Sequence, residues 1–585
     1  MVKLEQKKNI ECLRYACEKE FLIVQSELPA VLYKEVEEIE EWIEMADGIK
    51  LFARVTMPKK SGKWPVILIR SPYIVMDFME RIRTVPAFAM RGYAVVYNHV
   101  RGTIRSEGEW LPFENEKEDG KKVIEWIAEQ DWCNGNIGTL GSSYSGCVQW
   151  CLAGDHHPML KTMFISMFGP DPYKFIYCRG MFRQDIGTGW AAMMMGENRY
   201  HYYDRKEEAE LRKKANKVLP PRMLGEEIIG ETCTWYNTWI ENSSSDCEYW
   251  NSGFWKAVQE APSKMQIPVF LHGGWYDVFG NTMIDGWKRL PKHIREKSTF
   301  IMGPWSHVLT TGNTLEYPNE NKAGTLYIKA ALEWFDYQLK GKENKYPLGC
   351  MDAYNIGAGS WVRCSGKFLD STNEYLYLAC NQCMTGKLLT KVPEKTGKKV
   401  YYYNPDNPVN SCGGALLFNM EQPEVGPACS TWQPEIGERE DVINFLSERF
   451  ENGIQIAGGI KVELYVSTDA LATSFTVKIN EEFSDGKSVN IVDSISDIRF
   501  RKENEFQDYQ SGEIVKLELQ MADICWKLQC NSRIRLDISS SNFPAYHVHP
   551  NVAGKWSDNI EHRIAKQTIY CGNTYPSRII IPVQK

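Results

Sequence analysis

Short apolar runs of strand length alternate with helical stretches in the first third of the chain. The runs are WPVILIR (64–70), GYAVVYN (92–98), IGTLG (137–141) and LKTMFIS (160–166). Between the second and third runs, Val123, Ile124 and Ile127 share one helical face. This alternation predicts a parallel sheet covered by helices on both faces. Ahead of it, EEWIEMADGIKLFARVTMP predicts two strands joined by a turn at Asp47–Gly48.

The alternation stops after about residue 170 and resumes later. Residues 171–263 are rich in Trp, Tyr, Met and charged residues, and they predict helices without strands. Apolar runs return at IPVFLHGG (267–274) and STFIMG (298–303), and a helix is predicted over 322–341. A helical insertion within one α/β domain accounts for this order.

Beyond residue 350 the pattern changes again, to short β-like segments such as EYLYLA, KVYYYNP, TSFTVKIN and RIRLDISSS, separated by turn residues. Such spacing predicts an all-β sandwich or jelly roll. The complete prediction has four parts: an N-terminal extension (1–37), an α/β catalytic domain (38–170 and 264–350), a helical cap (171–263) and a jelly-roll β domain (351–585).

Composition and charge narrow the function. A chain of 585 residues exceeds what one core organises, and at roughly 100–200 residues per domain it predicts about three domains. The formal net charge is −7, with acidic and basic residues interspersed. A nucleic acid or an anionic membrane would find no basic field to bind, so neither is an expected partner.

The N-terminal residues and the cysteines bear on location. The first 21 residues have no uninterrupted apolar segment and no small-residue cleavage site, and no stretch approaches the roughly 20 apolar residues of a membrane span. Seventeen scattered cysteines, an odd number, favour reduced thiols in the cytoplasm. Cys380 and Cys383 lack a second pair that would complete a zinc site, so a strand followed by a turn is the better interpretation.

The sharpest local motif is IGTLGSSYSG (137–146), in which a β-run ends in Gly-x-Ser-Tyr-x-Gly and passes into a helix. A serine on such a strand-to-helix turn is held exposed and strained, as a nucleophile requires. Ser145 stands where the common motif has its second glycine, and Gly146 follows one residue later. The alternative is an ordinary Ser/Gly-rich turn, with Ser142 and Ser145 as rivals, but Ser143 has the central position.

A serine hydroxyl needs a histidine to take its proton and a carboxylate to orient that histidine. In α/β-hydrolases these residues follow in the order Ser, Asp or Glu, His, each after a late strand. The run PVFLHGGWYD ends at Asp277, and TFIMGPWSH ends at His307. Of the ten histidines, only His307 follows a predicted strand at the right point, whereas His272 lies inside a strand and is interpreted as a core residue.

The tetrahedral intermediate of such a reaction also needs hydrogen-bond donors for its oxyanion. One expected donor is the main-chain amide of Tyr144, the residue after the nucleophile. The second should come from the loop after an early strand, where Tyr73 follows WPVILIRSP. From chemistry alone, Tyr73 is equally a phenol donor or a packed aromatic residue.

Apolar side chains near these residues are candidates for a substrate pocket. Trp190 and Met194 lie in the helical insertion, where they could equally form its own core. Trp275, Phe279 and Trp305 flank the predicted triad residues. No phosphate-binding glycine loop is visible, and the chemistry predicted here needs neither a metal nor an organic cofactor.

These motifs resemble the CocE/NonD family, the cocaine-esterase-like hydrolases related to X-Pro dipeptidyl-peptidases. The matching pieces are SPY (71–73), RGTIRSEGEW (101–110), EWIAEQDWCNGNIGTLGSSYSG (125–146), GGWYD (273–277), GPWSH (303–307) and NSRIRLDISSSNFPAYHVHPN (531–551). The resemblance implies an α/β-hydrolase core, an inserted helical cap and a C-terminal jelly roll. It also implies Ser143, Asp277 and His307 as the triad, with the Tyr73 hydroxyl and the Tyr144 amide as the oxyanion hole.

The resemblance leaves the substrate open between esterases, acylases and X-Pro dipeptidyl-peptidases. The α-amino-ester hydrolases resemble one another in having carboxylates soon after the triad aspartate. In this chain Asp277 is followed by Val278, Phe279 and Gly280, so that subtype is disfavoured. We expect a small ester or amide substrate, with a short X-Pro peptide as the alternative. A non-catalytic protein that binds through its jelly roll is the alternative from another class. A homodimer is an open alternative for the assembly.

Overall fold

The structure is a computed structural model, and it describes residues 22, 25–154, 157–200, 205–320, 323–365, 371–380, 385–417, 427–503 and 505–584. Most of the predicted N-terminal extension, together with Cys383, lies outside the described residues. No helix in the described part of the chain is long and apolar enough to cross a membrane.

In the part of the chain that the structure describes, twelve strands precede the C-terminal region. They are β1 (Val36–Glu44), β2 (Lys50–Pro58), β3 (Trp64–Ser71), β4 (Ala94–His99), β5 (Cys133–Ser142), β6 (Leu160–Ser166), β7 (Tyr177–Cys178), β8 (Met181–Phe182), β9 (Val269–Tyr276), β10 (Thr299–Ser306), β11 (Cys350–Asn355) and β12 (Ser360–Ser365). All but β7 and β8 form one sheet in the order β1-β2-β4-β3-β5-β6-β9-β10-β11-β12. The strands from β4 to β11 pair in parallel, whereas β1, β2 and β12 are antiparallel to their neighbours.

Helices connect these strands. They are α1 (Ile74–Ile82), α2 (Thr84–Ala89), α3 (Glu116–Ala128), α4 (Tyr144–Trp150), α5 (Pro172–Ile176), α6 (Gln184–Tyr200), α7 (Arg205–Ala215), α8 (Leu224–Ile229), α9 (Thr234–Glu241), α10 (Gly253–Lys264), α11 (Gly280–Arg289), α12 (Lys292–Arg295) and α13 (Ala323–Lys340). Val66 and Leu68 of β3 lie in one hydrophobic cluster with Val123 of α3, whereas Ile67 lies in another with Trp334 of α13. Both faces of β3 are therefore buried, which explains its uninterrupted apolar run.

The segment between β6 and β9 contains α5 to α10, as the sequence predicts, together with the short hairpin of β7 and β8. Two-residue strands leave no detectable alternation, so the pattern predicted no strand here. This hairpin contacts the C-terminal region: His547 donates its main-chain N–H to the Phe182 carbonyl (3.0 Å), and its Nδ1 accepts from the Phe182 N–H (3.0 Å).

The contact at His547 predicts a dependence of stability on pH. Burial lowers the pKa of His547 from 6.5 to about 3. The pKa of His547 is lower in the folded state than in the unfolded state. The contribution of His547 to the free energy of unfolding is therefore complete above about pH 6.5, and it is lost as the pH falls towards 3. This linkage should lower the free energy of unfolding by about 2 kcal/mol between pH 7 and pH 5.

The variant His547→Asn keeps an acceptor for the Phe182 amide but cannot titrate, so its stability should fall less between these two pH values. Denaturant unfolding at pH 7 and pH 5 measures the difference, with His562→Asn, at an exposed histidine, as the control. If wild type and His547→Asn lost the same amount of stability between pH 7 and pH 5, His547 would not be the source of the pH dependence.

The C-terminal region is built from strands. They are β13 (Thr372–Ala379), β14 (Gly386–Leu389), β15 (Gly397–Tyr403), β16 (Ile443–Ser447), β17 (Gln455–Thr468), β18 (Ser474–Glu482), β19 (Ser488–Asp497), β20 (Val515–Lys527), β21 (Arg533–Ser539), β22 (Ala565–Cys571) and β23 (Arg578–Gln584). They form an eleven-stranded sheet, as expected for an all-β domain.

Two predictions about this region need correction. The boundary predicted between residues 350 and 351 lies inside the first sheet, because β11 pairs with β10 and β12 pairs with β11. The apolar pattern identifies a strand but does not say which sheet it joins. In addition, Cys380 forms a disulfide with Cys571, so the prediction of uniformly reduced cysteines is wrong for this pair.

Candidate active site

Ser143 lies on the sharp turn between β5 and α4. Its φ of 59° is in the left-handed region, which is costly for a residue other than glycine. Close packing maintains the turn: a Cβ at Gly141 would lie 2.3 Å from the Ser145 carbonyl oxygen, and one at Gly146 would lie 2.6 Å from that of Ser166. Gly146 therefore allows the close approach of the turn to the main chain at Ser166. In the common motif the second glycine stands one position earlier, where this chain has Ser145.

Asp277 and His307 follow neighbouring parallel strands, so their side chains meet at the same edge of the sheet. His307 Nε2 is 2.9 Å from Ser143 Oγ, and His307 Nδ1 is 2.8 Å from Asp277 Oδ1. Both side chains are buried: that of His307 is 8% exposed and that of Asp277 is 0% exposed. The three residues predicted as a triad form one continuous hydrogen-bonded chain.

The partners in this chain define the tautomer of His307. An ionised carboxylate can only accept, so the Asp277 contact requires the proton to be on Nδ1. Nε2 then carries a lone pair and can accept the hydrogen of the Ser143 hydroxyl. A serine and a histidine in this arrangement can carry out nucleophilic attack assisted by a general base.

His272 lies in the core, as predicted from its place inside a strand. Its side chain is fully buried, and Nδ1 is 3.0 Å from Ser166 Oγ. Burial lowers the pKa of His272 to about 3, so the ring is neutral at ordinary pH.

The two predicted oxyanion donors lie beside Ser143. Tyr73 comes directly after β3 and the Ser71–Pro72 pair, and its ring meets that of Tyr144 edge to face at 6.3 Å. Trp190 Nε1 donates to Tyr73 Oη at 3.1 Å. The indole N–H is the donor in this contact, so the Tyr73 hydroxyl accepts it through a lone pair.

A narrow cavity of about 20 Å³ lies next to Ser143. It is lined by Tyr73, Phe113, Ser143, Tyr144, Phe168, Phe175, Ile186, Trp190, Phe279 and Leu417. The wall is almost entirely aromatic or aliphatic, which suits an apolar group attached to the serine. Phe279 also packs against the His307 ring, with 5.5 Å between the ring centroids.

Of the five residues predicted to line a pocket, Trp190 and Phe279 line this cavity and three do not. Met194 is fully buried in the core of the helical insertion. Trp305 is fully buried against His272, with 4.9 Å between the rings. Trp275 lines a different, larger cavity of about 600 Å³, to whose wall Asp277 also contributes, and its indole donates to the Tyr354 carbonyl.

Sequence reasoning missed five of the lining residues: Phe113, Phe168, Phe175, Ile186 and Leu417. Phe168 follows β6, so the rule that sites form at the carboxyl ends of parallel strands could have found it. Leu417 comes from the C-terminal region and is held by a hydrogen bond from its main-chain N–H to Asp185 Oδ2 (2.5 Å). No pattern in the sequence indicates a contact between two residues that are 232 positions apart.

Two family models and several known proteins match this chain. Residues 47–309 match the family model described as X-Pro dipeptidyl-peptidase (S15 family). Residues 337–580 match the model described as X-Pro dipeptidyl-peptidase C-terminal non-catalytic domain. The chain is 27% identical to the cocaine esterase of Rhodococcus sp. (strain MB1 Bresler) over 575 residues, which cover 93% of this chain and 98% of that protein.

Two solved structures share the fold. An aminopeptidase from the marine sediment archaeon Thaumarchaeota archaeon aligns with a TM-score of 0.80 at 19% identity, over 95% of this chain and 98% of the other. A CocE/NonD family hydrolase from Staphylococcus aureus aligns with a TM-score of 0.64 at 18% identity, over 94% and 93%. The class is therefore a hydrolase of the α/β type. Within this class, the chain is similar to the X-Pro dipeptidyl-peptidase (S15) family over its two matched regions and to cocaine esterase over almost its whole length, and its fold is that of a CocE/NonD family hydrolase.

Proposed function

We propose that this protein is a serine hydrolase that cleaves an ester or amide of a small acyl substrate through an acyl-enzyme intermediate. The observation that carries the proposal is the hydrogen-bonded chain from Ser143 through His307 to Asp277. In this proposal Ser143 is the nucleophile, His307 is the general base and acid, and Asp277 orients His307 and stabilises its charged form.

In the acylation step, Ser143 Oγ attacks the substrate carbonyl carbon while His307 Nε2 takes the hydroxyl proton. The carbonyl oxygen becomes an oxyanion, which accepts hydrogen bonds from the Tyr73 hydroxyl and the Tyr144 amide. The tetrahedral intermediate then collapses: the bond to the leaving group breaks, and His307 gives its proton to the departing alcohol or amine. The acyl group remains on Ser143 as an ester.

In the deacylation step, a water molecule replaces the leaving group. His307 takes one proton from the water as its oxygen attacks the acyl carbon, and the same two donors stabilise the second oxyanion. Collapse of this intermediate releases a carboxylic acid and returns the proton to Ser143. Neither step needs a redox partner or a second substrate besides water.

The cavity beside Ser143 supports a small, apolar acyl group. Its volume of about 20 Å³ accommodates roughly one water molecule, so a larger acyl group requires the aromatic side chains to shift. No carboxylate is among the residues that line it. The similarity to cocaine esterase over almost the whole length supports an ester substrate.

The alternative is an X-Pro dipeptidyl-peptidase, which the S15 family match favours. A panel containing aryl acetates, aryl amides and an Ala-Pro anilide separates the two proposals. The esterase proposal predicts the highest kcat/KM for the aryl esters. A kcat/KM that is higher for the Ala-Pro anilide would support the peptidase alternative.

The domain assignment remains part of this proposal. The α/β-hydrolase domain comprises residues 38–170 and 264–365, with the later end corrected for β11 and β12. Residues 171–263 act as the helical cap, and the strands that follow form a jelly roll. A cytoplasmic location stays a prediction, and the Cys380–Cys571 disulfide is more typical of an oxidising compartment.

Labelling with a fluorophosphonate tests the proposed nucleophile. The reagent should phosphonylate the wild-type protein at a single serine, with loss of fluoride, because His307 activates Ser143. Mass spectrometry of the digested protein should place the adduct on Ser143, and Ser143→Ala should abolish labelling. Ser145→Ala removes the neighbouring rival and should still be labelled. A wild-type protein that resists the reagent would contradict the proposed function.

A further inference from the structure

A buried ion pair connects β3, the strand that leads to Tyr73, with α3, the helix that precedes β5 in the chain. Arg70 lies near the end of β3, and its Nη1 is 2.9 Å from Glu116 Oε2, at the start of α3. The two side chains are only 2% and 5% exposed. The same Nη1 donates to the Glu116 main-chain carbonyl at 2.8 Å. Arg70 and Glu116 thus form a fixed, water-excluded unit.

The other oxygen of this carboxylate contacts the residue after the nucleophile. Tyr144 Oη donates to Glu116 Oε1 at 2.7 Å and accepts from the Phe113 main-chain N–H at 3.0 Å. The rings of Tyr144 and Phe113 stack, with 4.3 Å between their centroids. One carboxylate oxygen of Glu116 therefore contacts Arg70, on the strand that precedes Tyr73, and the other accepts from the Tyr144 side chain. Tyr73 and the Tyr144 amide are the two proposed oxyanion donors.

Stability alone is a weak reason for this arrangement. Taking a carboxylate and a guanidinium out of water is costly, and a well-packed apolar pair of similar volume is often as stable. Burial indeed raises the pKa of the Glu116 carboxyl, although Arg70 acts in the opposite direction. What a carboxylate held beside Arg70 supplies is a directional acceptor for a phenol. The packing leaves Arg70 little freedom, since a Cβ at Gly120 would lie 2.9 Å from its Nη1.

We propose that Glu116 is a positioning residue that holds the Tyr144 amide, and the Phe113 wall of the cavity, in the geometry that the tetrahedral intermediate requires. The inference rests on the proposed function. The main-chain N–H that faces the oxyanion belongs to the residue whose phenol Glu116 anchors. A tilt of the Tyr144 ring would therefore move this donor, and a displacement of about 1 Å can cost about 10²-fold in rate.

The test compares Glu116→Gln, Tyr144→Phe and the double variant in hydrolysis of an aryl ester. Glu116→Gln replaces the carboxylate by a neutral amide, which is a weaker acceptor, and Tyr144→Phe removes the phenol together with its contact to the Phe113 N–H. Both changes therefore act on the Glu116–Tyr144 hydrogen bond. Each should lower kcat by about 10–100-fold and change KM by less than about twofold, since the contact acts on the intermediate. The loss in the double variant should be well below the product of the two single losses, because the Glu116–Tyr144 contact is shared by both changes.

Glu118→Gln is the matched control, because Glu118 lies on the same helix with its side chain 75% exposed. It should retain wild-type activity. An arylboronic acid provides a second measurement: its boron bonds to Ser143 Oγ, the serine proton passes to His307, and the tetrahedral anion occupies the oxyanion hole. Glu116→Gln should weaken this binding by about the same factor as it lowers kcat.

Three outcomes would overturn the inference: a Glu116→Gln variant as active as Glu118→Gln, a loss confined to KM, or losses that multiply in the double variant. If Glu116→Gln does not fold, Tyr144→Phe carries the test, because it keeps the ion pair with Arg70. A wild-type protein that neither hydrolyses esters nor reacts with fluorophosphonate would instead contradict the proposed function, so the two failures are distinguishable.

Discussion

Replacing His307 by Ala is expected to lower kcat for ester hydrolysis by roughly 10⁴–10⁶-fold. The variant loses the base that accepts the Ser143 proton and the acid that protonates the leaving group. Asp277 cannot substitute, because its carboxylate reaches Ser143 only through the imidazole. A residual rate of roughly 10³–10⁴ over water should remain, since the oxyanion donors and the acyl cavity are unchanged.

Initial rates with an activated aryl ester measure this loss, and thermal unfolding checks that the variant is folded. His293→Ala is the matched control, because His293 is an exposed histidine on α12 and the substitution is the same. His307→Ala at near wild-type activity would exclude His307 as the base. The pair His307→Ala and Ser143→Ala should also be strongly non-additive, since either change alone disables the same step.

The parts of the fold that the sequence predicts well are those with local periodicity. The run from Trp64 to Ile69 is apolar at every position because both faces of β3 are covered, and the helix at Val123 and Ile127 shows its buried face directly. The triad could be found for a related reason. In a parallel sheet the carboxyl ends of β9 and β10 lie side by side, so chain order alone brings Asp277 near His307.

What the sequence does not predict depends on contacts between distant segments. Cys350 to Asn355 have the pattern of a strand, but only the pairing with β10 shows that they extend the first sheet. Met194 and Trp190 lie one turn apart on the same helix; only the packing shows that Trp190 faces the cavity and Met194 the core. The link between Asp185 and Leu417 likewise exists only once the C-terminal region has folded against the insertion.

The second large effect is expected from Tyr73→Phe, which removes one hydroxyl and leaves the ring. If the hydroxyl donates to the oxyanion, kcat should fall by about 10²–10³-fold, which corresponds to about 2.7–4 kcal/mol of lost stabilisation. KM should change little, because this contact strengthens as charge develops on the oxygen. Tyr402→Phe makes the same change at a tyrosine that is 63% exposed on β15, and it should have no effect.

Trp190→Phe separates the donor role of Tyr73 from its packing role. It removes the indole N–H that donates to Tyr73 Oη, and it keeps both the phenol and an aromatic wall. The loss in kcat should therefore be smaller than for Tyr73→Phe, because the oxyanion keeps both of its donors and only the orientation of one is relaxed. If Tyr73 were merely a packed aromatic residue, Tyr73→Phe would stay within about twofold of wild type and the larger loss would come from Trp190. Which of the two variants loses more kcat thus decides whether Tyr73 is an oxyanion donor or a packed aromatic residue, the two alternatives that the sequence left open.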